Sequence, residues 1–308
     1  MQRTEAPGPA DTAGDASRFV AAPATLYVVA TPLGNLRDLT LRAQDILKSA
    51  DVIAAEDTRV SAVLLRHFGI AARPMSLHAH NEAKRAAEIV AILQSGRSVA
   101  LVSDAGTPAV SDPGAALVAA VRAAGFGVIP VPGANAAIAA ISAAGLSAER
   151  FAFLGFLPSA AKRRRGLVLE MGALALALVI YEAPHRVRET VEELAQWLEG
   201  TRTLVIAREL TKKFESIAAM PLRRASEWLA GDSDRQRGEF VLIVDACPTA
   251  NRSEAAGITP DVERWLALLA HELPPARLAR IAAAATGIPR DILYARAQRL
   301  KDGPDAAG

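Results

Sequence analysis

Short apolar runs alternate with segments of helical spacing from residue 25 to residue 144, and no other feature of this chain constrains its fold so tightly. Thr25–Ala30, Asp51–Ala55, Met75–Leu77, Ser98–Val102 and Gly127–Val131 read as strands. Residues 39–50, 58–68, 81–94, 115–124 and 136–144 read as helices. Strands that are apolar through their length are buried on both faces, and helices between them make the sheet parallel. Such a sheet binds ligands beyond the carboxyl ends of its strands.

One connection at that edge stands out. Ser103–Gly114 is twelve residues of small, turn-forming and carboxylate types, between a strand and a helix. Most such connections are only about 2–6 residues long. Gly106 and Gly114 allow backbone to approach a ligand closely, and Pro108 and Pro113 fix the course of the loop.

After Gly145 the strands come closer together. Strands are expected at residues 151–153, 176–181, 203–207, 215–219 and 240–244, with helices at 159–171, 184–198 and 221–230. This half reads as a second α/β domain with a mixed sheet, the hinge lying near Ser147–Arg150. The expected organisation is therefore a tail over 1–23, an N-terminal α/β domain over 24–147, a C-terminal α/β domain over 148–246, a linker over 247–259 and a basic helical region over 260–308. The tail carries Glu5, Asp11 and Asp15 among Pro, Gly and Ala without an apolar centre, which suits disorder and not a signal peptide. The last region has helical spacing at 261–271, 276–286 and 291–300. From Leu273 to Lys301 it holds six basic residues against the single acidic Asp291.

Composition excludes several classes. With 51% hydrophobic and 22% charged residues, the 308-residue chain has a soluble, globular balance. A single cysteine, Cys247, rules out an internal disulfide and any multi-cysteine metal site, and fits a reducing cytoplasm. The longest apolar run, Leu174–Tyr181, is far short of the roughly 20 residues that span a membrane. Neither G-x-x-x-x-G-K-[ST] nor a G-x-G-x-x-G after the first strand is present, which argues against a triphosphate or dinucleotide cofactor. The loops with Gly34, Gly106, Thr107, Gly133 and Asn135 carry no adjacent lysine or arginine. They suit a ligand that is uncharged or cationic where it meets the protein.

Five motifs carry polar chemistry. Glu56-Asp57-Thr58-Arg59 ends the second strand; it can position a hydroxyl and a phosphate, or Asp57 can simply cap the next helix. His78-Ala79-His80-Asn81-Glu82 follows the third strand, offering a polar substrate contact through His78 or Asn81, with Asn81 as a helix cap the alternative. Its H-x-H lacks the third ligand that a metal site needs. Tyr181–Arg186 and Ala207–Lys212 end strands of the second domain and together suggest a substrate groove. Lys162-Arg163-Arg164-Arg165, added to the basic C-terminal helices, points to a phosphate-backbone partner.

Thr31-Pro32-Leu33-Gly34-Asn35, Ala55–Arg59, His78–Glu82, Ser103–Gly114, Val131-Pro132-Gly133, Gly155-Phe156-Leu157-Pro158, Tyr181–Arg186, Ala207–Lys212 and Gly238-Glu239-Phe240-Val241 occur in this order. In that order the chain resembles the ribosomal RNA small-subunit methyltransferase I family, 2′-O-ribose methyltransferases acting on cytidine 1402 of 16S rRNA, within the tetrapyrrole methylase superfamily. The resemblance covers residues 25–245, and loosely the C-terminal helices. It implies two α/β domains with the cofactor cleft between them, S-adenosylmethionine as methyl donor, a homodimer, and the small ribosomal subunit as partner. It places the cofactor against Pro32 and Gly34, against Gly106, Thr107, Ala109 and Val110, and against Gly133 and Asn135. Leu154 and Ala207 look like cofactor-lining positions of the second domain. The chain departs from the tetrapyrrole branch in its Thr-Pro-Leu-Gly-Asn first loop and in Thr107, which stands where that branch has the aspartate of Gly-Asp-Pro. Both departures suit the RNA branch.

Methyl transfer from a sulfonium demands alignment more than charge stabilisation, while a ribose hydroxyl needs a proton acceptor. Glu56, Asp57 and His78 are the candidates for that role, with Arg59 and Lys212 on flanking phosphates and no metal required. Two competing classes are a corrin-pathway C-methyltransferase, which the basic helices disfavour, and a non-catalytic RNA-binding assembly factor.

Overall fold

The computed structural model describes residues 19–246 and 258–302. Residues 1–18 of the expected tail, residues 247–257 of the expected linker with Cys247, and 303–308 lie outside the described residues. Residues 19–23, read from sequence as tail, are tied down instead. Phe19 N–H donates to Asp45 at 3.1 Å, Ala21 N–H to Ser49 Oγ at 2.9 Å and Ala22 N–H to the Tyr27 hydroxyl at 2.8 Å. Backbone donors that find fixed acceptors order a segment whose composition alone would leave it free.

The described chain divides into two compact units. One comprises the residues up to Ala143 with Ala207–Ser216, the other Ala144–Ile206 with the residues from Ile217 on. The first unit holds β1 (Thr25–Val29), α1 (Leu41–Ser49), β2 (Val52–Ala55), α2 (Thr58–His67), β3 (Met75–Ser76), α3 (Glu82–Gln94), β4 (Val99–Val102), α4 (Ala115–Ala123), β5 (Gly127–Val131) and α5 (Ala136–Ala144). Its strands lie in the order β3-β2-β4-β1-β5, and neighbouring strands run parallel. Pro130 sits in β5, at the edge, where a missing N–H breaks no ladder.

Successive strand residues point to opposite faces, which divides the core in two. Tyr27, Val29, Ile53, Ala55, Ala100 and Val102 pack with Ala43, Ile46, Leu47 and Leu65 of α1 and α2. Leu26, Ala54, Val99 and Leu101 pack with Ile89, Leu93, Leu117 and Val121 of α3 and α4. Helices therefore cover both faces, as the uninterrupted apolar strands require.

The second unit is built on β6 (Phe151–Phe156), α6 (Ala161–Gly172), β7 (Ala177–Glu182), α7 (Val187–Trp197), β8 (Thr203–Arg208), β9 (Ser216–Pro221), α8 (Ala225–Ala230) and β10 (Phe240–Val244). Strand order is β6-β7-β10-β8-β9, with β6–β7 parallel and β7–β10 antiparallel, so the sheet is mixed as the sequence suggests. Leu178, Ile180, Leu204, Ile206 and Leu242 face Val168, Val191, Leu194 and Leu229 of α6, α7 and α8. Asp245, past the end of β10, accepts Ser147 N–H at 2.9 Å and Ser147 Oγ at 2.7 Å, so the expected hinge begins in a pinned turn. Burial pushes the Asp245 carboxyl up, but these bonds outweigh it and hold the group below its ordinary value.

The last three helices, α9 (Pro260–Leu269), α10 (Pro275–Thr286) and α11 (Arg290–Asp302), bury a small core of their own around Leu266, Leu278, Ala279, Leu293 and Ala297. Between α10 and α11 the three-residue turn Gly287-Ile288-Pro289 needs a left-handed residue, and Gly287 takes it at φ +72°. A short turn with glycine between two helices is the geometry of a helix-turn-helix.

Candidate functional site

The carboxyl edge of the first sheet is stapled together by its own loops. Thr31, past β1, bridges Gly106: Thr31 N–H donates to Gly106 O at 2.8 Å and Gly106 N–H returns to Thr31 O at 3.0 Å. The buried Thr31 hydroxyl donates to Ser103 O at 3.1 Å. Thr107 Oγ1 donates to Ala134 O at 3.0 Å, which joins the long loop to the Pro132–Asn135 turn. Gly133 lies so near Ala30 that a Cβ there would stand 2.9 Å from the Ala30 methyl. Pro32, Gly34, Gly106, Thr107, Ala109, Val110, Gly133 and Asn135 thus all belong to loops at one edge of one unit.

Strain concentrates here. Gly106 has φ +81°, and Ala109 and Ser111 hold φ +66° and +65° without being glycine. Non-glycine residues in the left-handed region cost energy and persist where the surroundings fix them, often at functional sites. Glu82 provides part of that fixing. Its Oε1 accepts N–H groups of Gly114, Ala116 and Leu117, at the start of α4. Glu82 belongs to a motif read for His78 and Asn81, and its role in shaping the long loop was not legible there.

Two carboxylates at the end of β2 behave differently. Asp57 caps α2, accepting Arg59 N–H at 2.8 Å, and its other oxygen pairs with Arg59 Nη2 at 2.7 Å. The Arg59 side chain, through these hydrogen bonds, lowers the Asp57 carboxyl to about 2. Asp57 is therefore a cap and an arginine clamp, and a weak proton acceptor. Arg59 itself is 88% exposed. Glu56 is shifted the other way: burial, then Asp112 and Asp104 facing it, raise its carboxyl above the ordinary value, though it accepts the Asp104 N–H. Asp112 is raised likewise, by burial and by Asp104, against a hydrogen bond with Ser103. Asp104 in turn accepts Asp57 N–H at 2.9 Å, which links the ends of β2 and β4. Asp104 and Asp112 lie in the long loop, where the sequence shows carboxylates without singling out these two as site residues.

His78 has a defined tautomer. Asn81 Oδ1 accepts His78 N–H at 2.9 Å, which orients the Asn81 amide so that Nδ2 faces His78 Nε2 at 3.2 Å. Nε2 must then accept, leaving the proton on Nδ1. Nδ1 is buried and has no hydrogen-bond partner among the described residues. Asn81 makes no side-chain cap on α3, so its bonds to His78 and to Ser76 O are what it does.

Residues 207–216, expected in the second domain, pack with the first unit. This segment runs from Ala207, fully buried, through a tight loop with Glu209 and Thr211 at φ +52° and +65°. Lys212 pairs with Glu209 at 2.9 Å, and its side chain lies against Gly34, where a Cβ would collide with Lys212 Cγ.

In the second unit, two motifs each place a charged side chain inside the structure. Glu182 is buried, accepting Ala183 N–H at 2.9 Å and the Thr190 hydroxyl at 2.6 Å, while Arg186 donates to Leu157 O at 3.2 Å. This ties the 181–186 motif to the 155–158 motif. Of the 162–165 run, read as pointing to a phosphate-backbone partner, Lys162, Arg163 and Arg165 are exposed and Arg164 is not. Arg164 is buried, and its guanidinium donates to Glu193 and Glu189 and to the carbonyls of Pro158 and Ser159. Leu154 is skipped by the β6–β7 register, which passes from Phe153↔Val179 to Gly155↔Ile180, and its side chain packs on the second unit's core. Among the described residues no group of three or more His, Cys, Asp or Glu is placed to hold a metal, and no helix is long and apolar enough to cross a membrane.

Comparison with known proteins agrees with this architecture. Residues 25–226 match the model of the Tetrapyrrole (Corrin/Porphyrin) Methylases, and residues 256–301 match the RsmI C-terminal HTH domain. The chain is 45% identical over 269 residues to the Ribosomal RNA small subunit methyltransferase I of Escherichia coli O157:H7, covering 87% of this chain and 93% of that protein. It is 48% identical over 272 residues to the protein of the same name from Xylella fastidiosa (strain Temecula1), covering 88% and 98%. In fold it is similar to the uroporphyrin-III C-methyl transferase of Thermus thermophilus solved with S-adenyl homocysteine, with a TM-score of 0.51 and 18% identity over 71% of this chain and 97% of that one. On these matches the chain belongs to the ribosomal RNA small subunit methyltransferase I family of the tetrapyrrole (corrin/porphyrin) methylases.

Proposed function

We propose that this protein transfers a methyl group from S-adenosylmethionine to the ribose 2′-hydroxyl of a cytidine, cytidine 1402, in 16S rRNA of the small ribosomal subunit, working as a homodimer in the cytoplasm without a metal. The observation that carries the reading is the stapled loop edge of the first sheet, in a chain 45% identical over most of its length to a relative named for rRNA methylation.

The residues at that edge fit the cofactor. Backbone groups of the 31–35, 103–114 and 132–135 loops supply the donors and acceptors, glycines let them approach closely, and three carboxylates, Glu56, Asp104 and Asp112, lie at the same edge. Negative charge without a phosphate-binding loop suits a ligand that is cationic and carries no phosphate. When bound, the cofactor supplies an electrophilic methyl group.

Glu56 is the residue that takes the proton lost by the ribose hydroxyl. Its raised carboxyl is a better acceptor near neutral pH than Asp57, which Arg59 holds far down. His78, held by the Asn81 amide at the end of β3, helps to position the polar groups of this edge. Arg59 offers an exposed cation for a flanking phosphate. Lys212, already paired with Glu209, positions the Gly34 loop and reaches a phosphate only by sharing its charge. Arg277, Arg280, Arg290, Arg299 and Lys301 on α10 and α11 are exposed and add phosphate contacts. Arg296 is committed to Glu263 instead.

Incubation with methyl-labelled S-adenosylmethionine and unmethylated small subunits, naked 16S rRNA or uroporphyrinogen tests the reading. Label in RNA supports it, whereas label in the tetrapyrrole or in nothing refutes it.

A further inference from the structure

Phe214 is 64% exposed, a costly place for a phenylalanine, and Lys213 Nζ stands 5.4 Å from the centre of its ring. The loop that carries the pair is held firmly. Lys212 N–H donates to Glu209 O at 3.0 Å, Glu215 N–H to Lys212 O at 3.2 Å, Thr211 N–H to the Glu215 carboxylate, and Arg208 Nε to Ser216 Oγ at 3.2 Å. Glu209 and Thr211 hold left-handed backbone to make this turn. The same loop lays Lys212 on Gly34, in the first unit, so the ring is presented two residues from a contact with the first strand-end loop.

We infer that Phe214, with Lys213 beside it, is a stacking platform for a base of the RNA next to the methylated nucleotide. The inference rests on the RNA-methyltransferase reading above and adds a positioning residue to it. Aligning one ribose hydroxyl for transfer requires its nucleotide to be fixed in position, and proteins fix single-stranded nucleotides by stacking bases on aromatic rings. Any base has a face to stack, so the platform fixes position without demanding sequence. An ammonium beside the ring meets the phosphate that follows a stacked base. Preorganisation of the loop means that little ordering is required on binding.

The test uses the full chain with unmethylated small subunits and labelled S-adenosylmethionine. Phe214→Ala is expected to raise KM for the subunit about 5- to 150-fold, the equivalent of unstacking one base. Affinity for S-adenosylmethionine by calorimetry is expected to be unchanged. Phe214→Tyr is expected to keep the wild-type KM and Phe214→Leu to resemble Phe214→Ala. An unchanged KM in Phe214→Ala, full rescue by leucine, or a change in sedimentation that assigns the ring to contact between copies of the chain overturns the inference. A second readout is independent of transfer: single-stranded RNA carrying 2-aminopurine beside the target cytidine is expected to be quenched by the wild type and not by Phe214→Ala. Quenching without transfer would keep the platform and remove the proposed function. Transfer without quenching would do the reverse.

Discussion

Glu82 Oε1 accepts the Gly114 N–H at 3.0 Å, and the same oxygen takes the N–H groups of Ala116 and Leu117 at 2.8 and 3.1 Å. A helix begins with N–H groups that have no partner within it, and glycine has no side chain to cap them. A carboxylate from α3 therefore caps α4 and fixes the far end of the 103–114 loop. It also occupies a helix N-terminus that would otherwise attract an anion.

Removing this carboxylate is expected to loosen the loop. Glu82→Ala should lose about 1–3 kcal/mol of stability, because buried donors are left unpaired. It should also weaken S-adenosylmethionine binding, while turnover at saturating cofactor stays close to wild type. Denaturant unfolding and calorimetric titration check the two effects. Loss of stability with full cofactor affinity would confine Glu82 to the helix.

Glu56 sets the expected pH dependence. Burial and the facing aspartates raise its carboxyl, so the acid limb of the turnover profile should lie above the ordinary glutamate range. Glu56→Gln should lower turnover by about 10²-fold or more and abolish that limb. For stability the direction is opposite: the contribution of Glu56 is complete below its unfolded value and lost as pH rises through the folded one. A pH–rate profile whose acid limb survives in Glu56→Gln would assign the proton acceptor elsewhere.

Asp57 should behave as a cap. Asp57→Ala is expected to lower stability by the modest amount of one lost helix cap, with turnover nearly intact. Its stabilising effect is present above the ordinary aspartate value and lost as pH falls towards about 2. Turnover that drops by about 10²-fold or more while stability holds would return Asp57 to the chemistry.

Strand and helix order was legible because apolar runs and helical spacing are local signals. The mixed second sheet was legible from its shorter connections. What escaped depended on side chains reaching across sequence. Arg164 reads as one of four charges in a run, and only the carbonyls of Pro158 and Ser159 and the carboxylates of α7 turn it inward. Glu82 ends the 78–82 motif, yet its partners begin 32 residues away. Asp57 and Glu56 are adjacent in sequence and opposite in acidity, since one meets Arg59 and the other meets burial and two carboxylates. The 207–216 segment follows a strand of the second sheet but packs with the first unit, which no local pattern encodes.

The C-terminal helices have their own core, so a chain ending at Ala246 should keep both sheets folded. Such a truncation is expected to weaken RNA binding and flatten the log–log salt slope by about 0.7–0.9 for each phosphate no longer engaged, several units if the five exposed basic residues all take part. S-adenosylmethionine affinity should not change. An unaltered salt slope with reduced stability would mean that α9, α10 and α11 serve packing.

The position of the transferred methyl group decides whether this protein is a ribose methyltransferase of 16S rRNA. Small subunits from cells lacking the enzyme are incubated with the protein and S-adenosylmethionine, and their 16S rRNA is then digested and read by mass spectrometry. One added methyl is expected on the ribose of cytidine 1402, resistant to alkaline cleavage at that site, and none with Glu56→Gln at the same time of incubation. A methyl on a base, on another nucleotide, or on no RNA at all would contradict it.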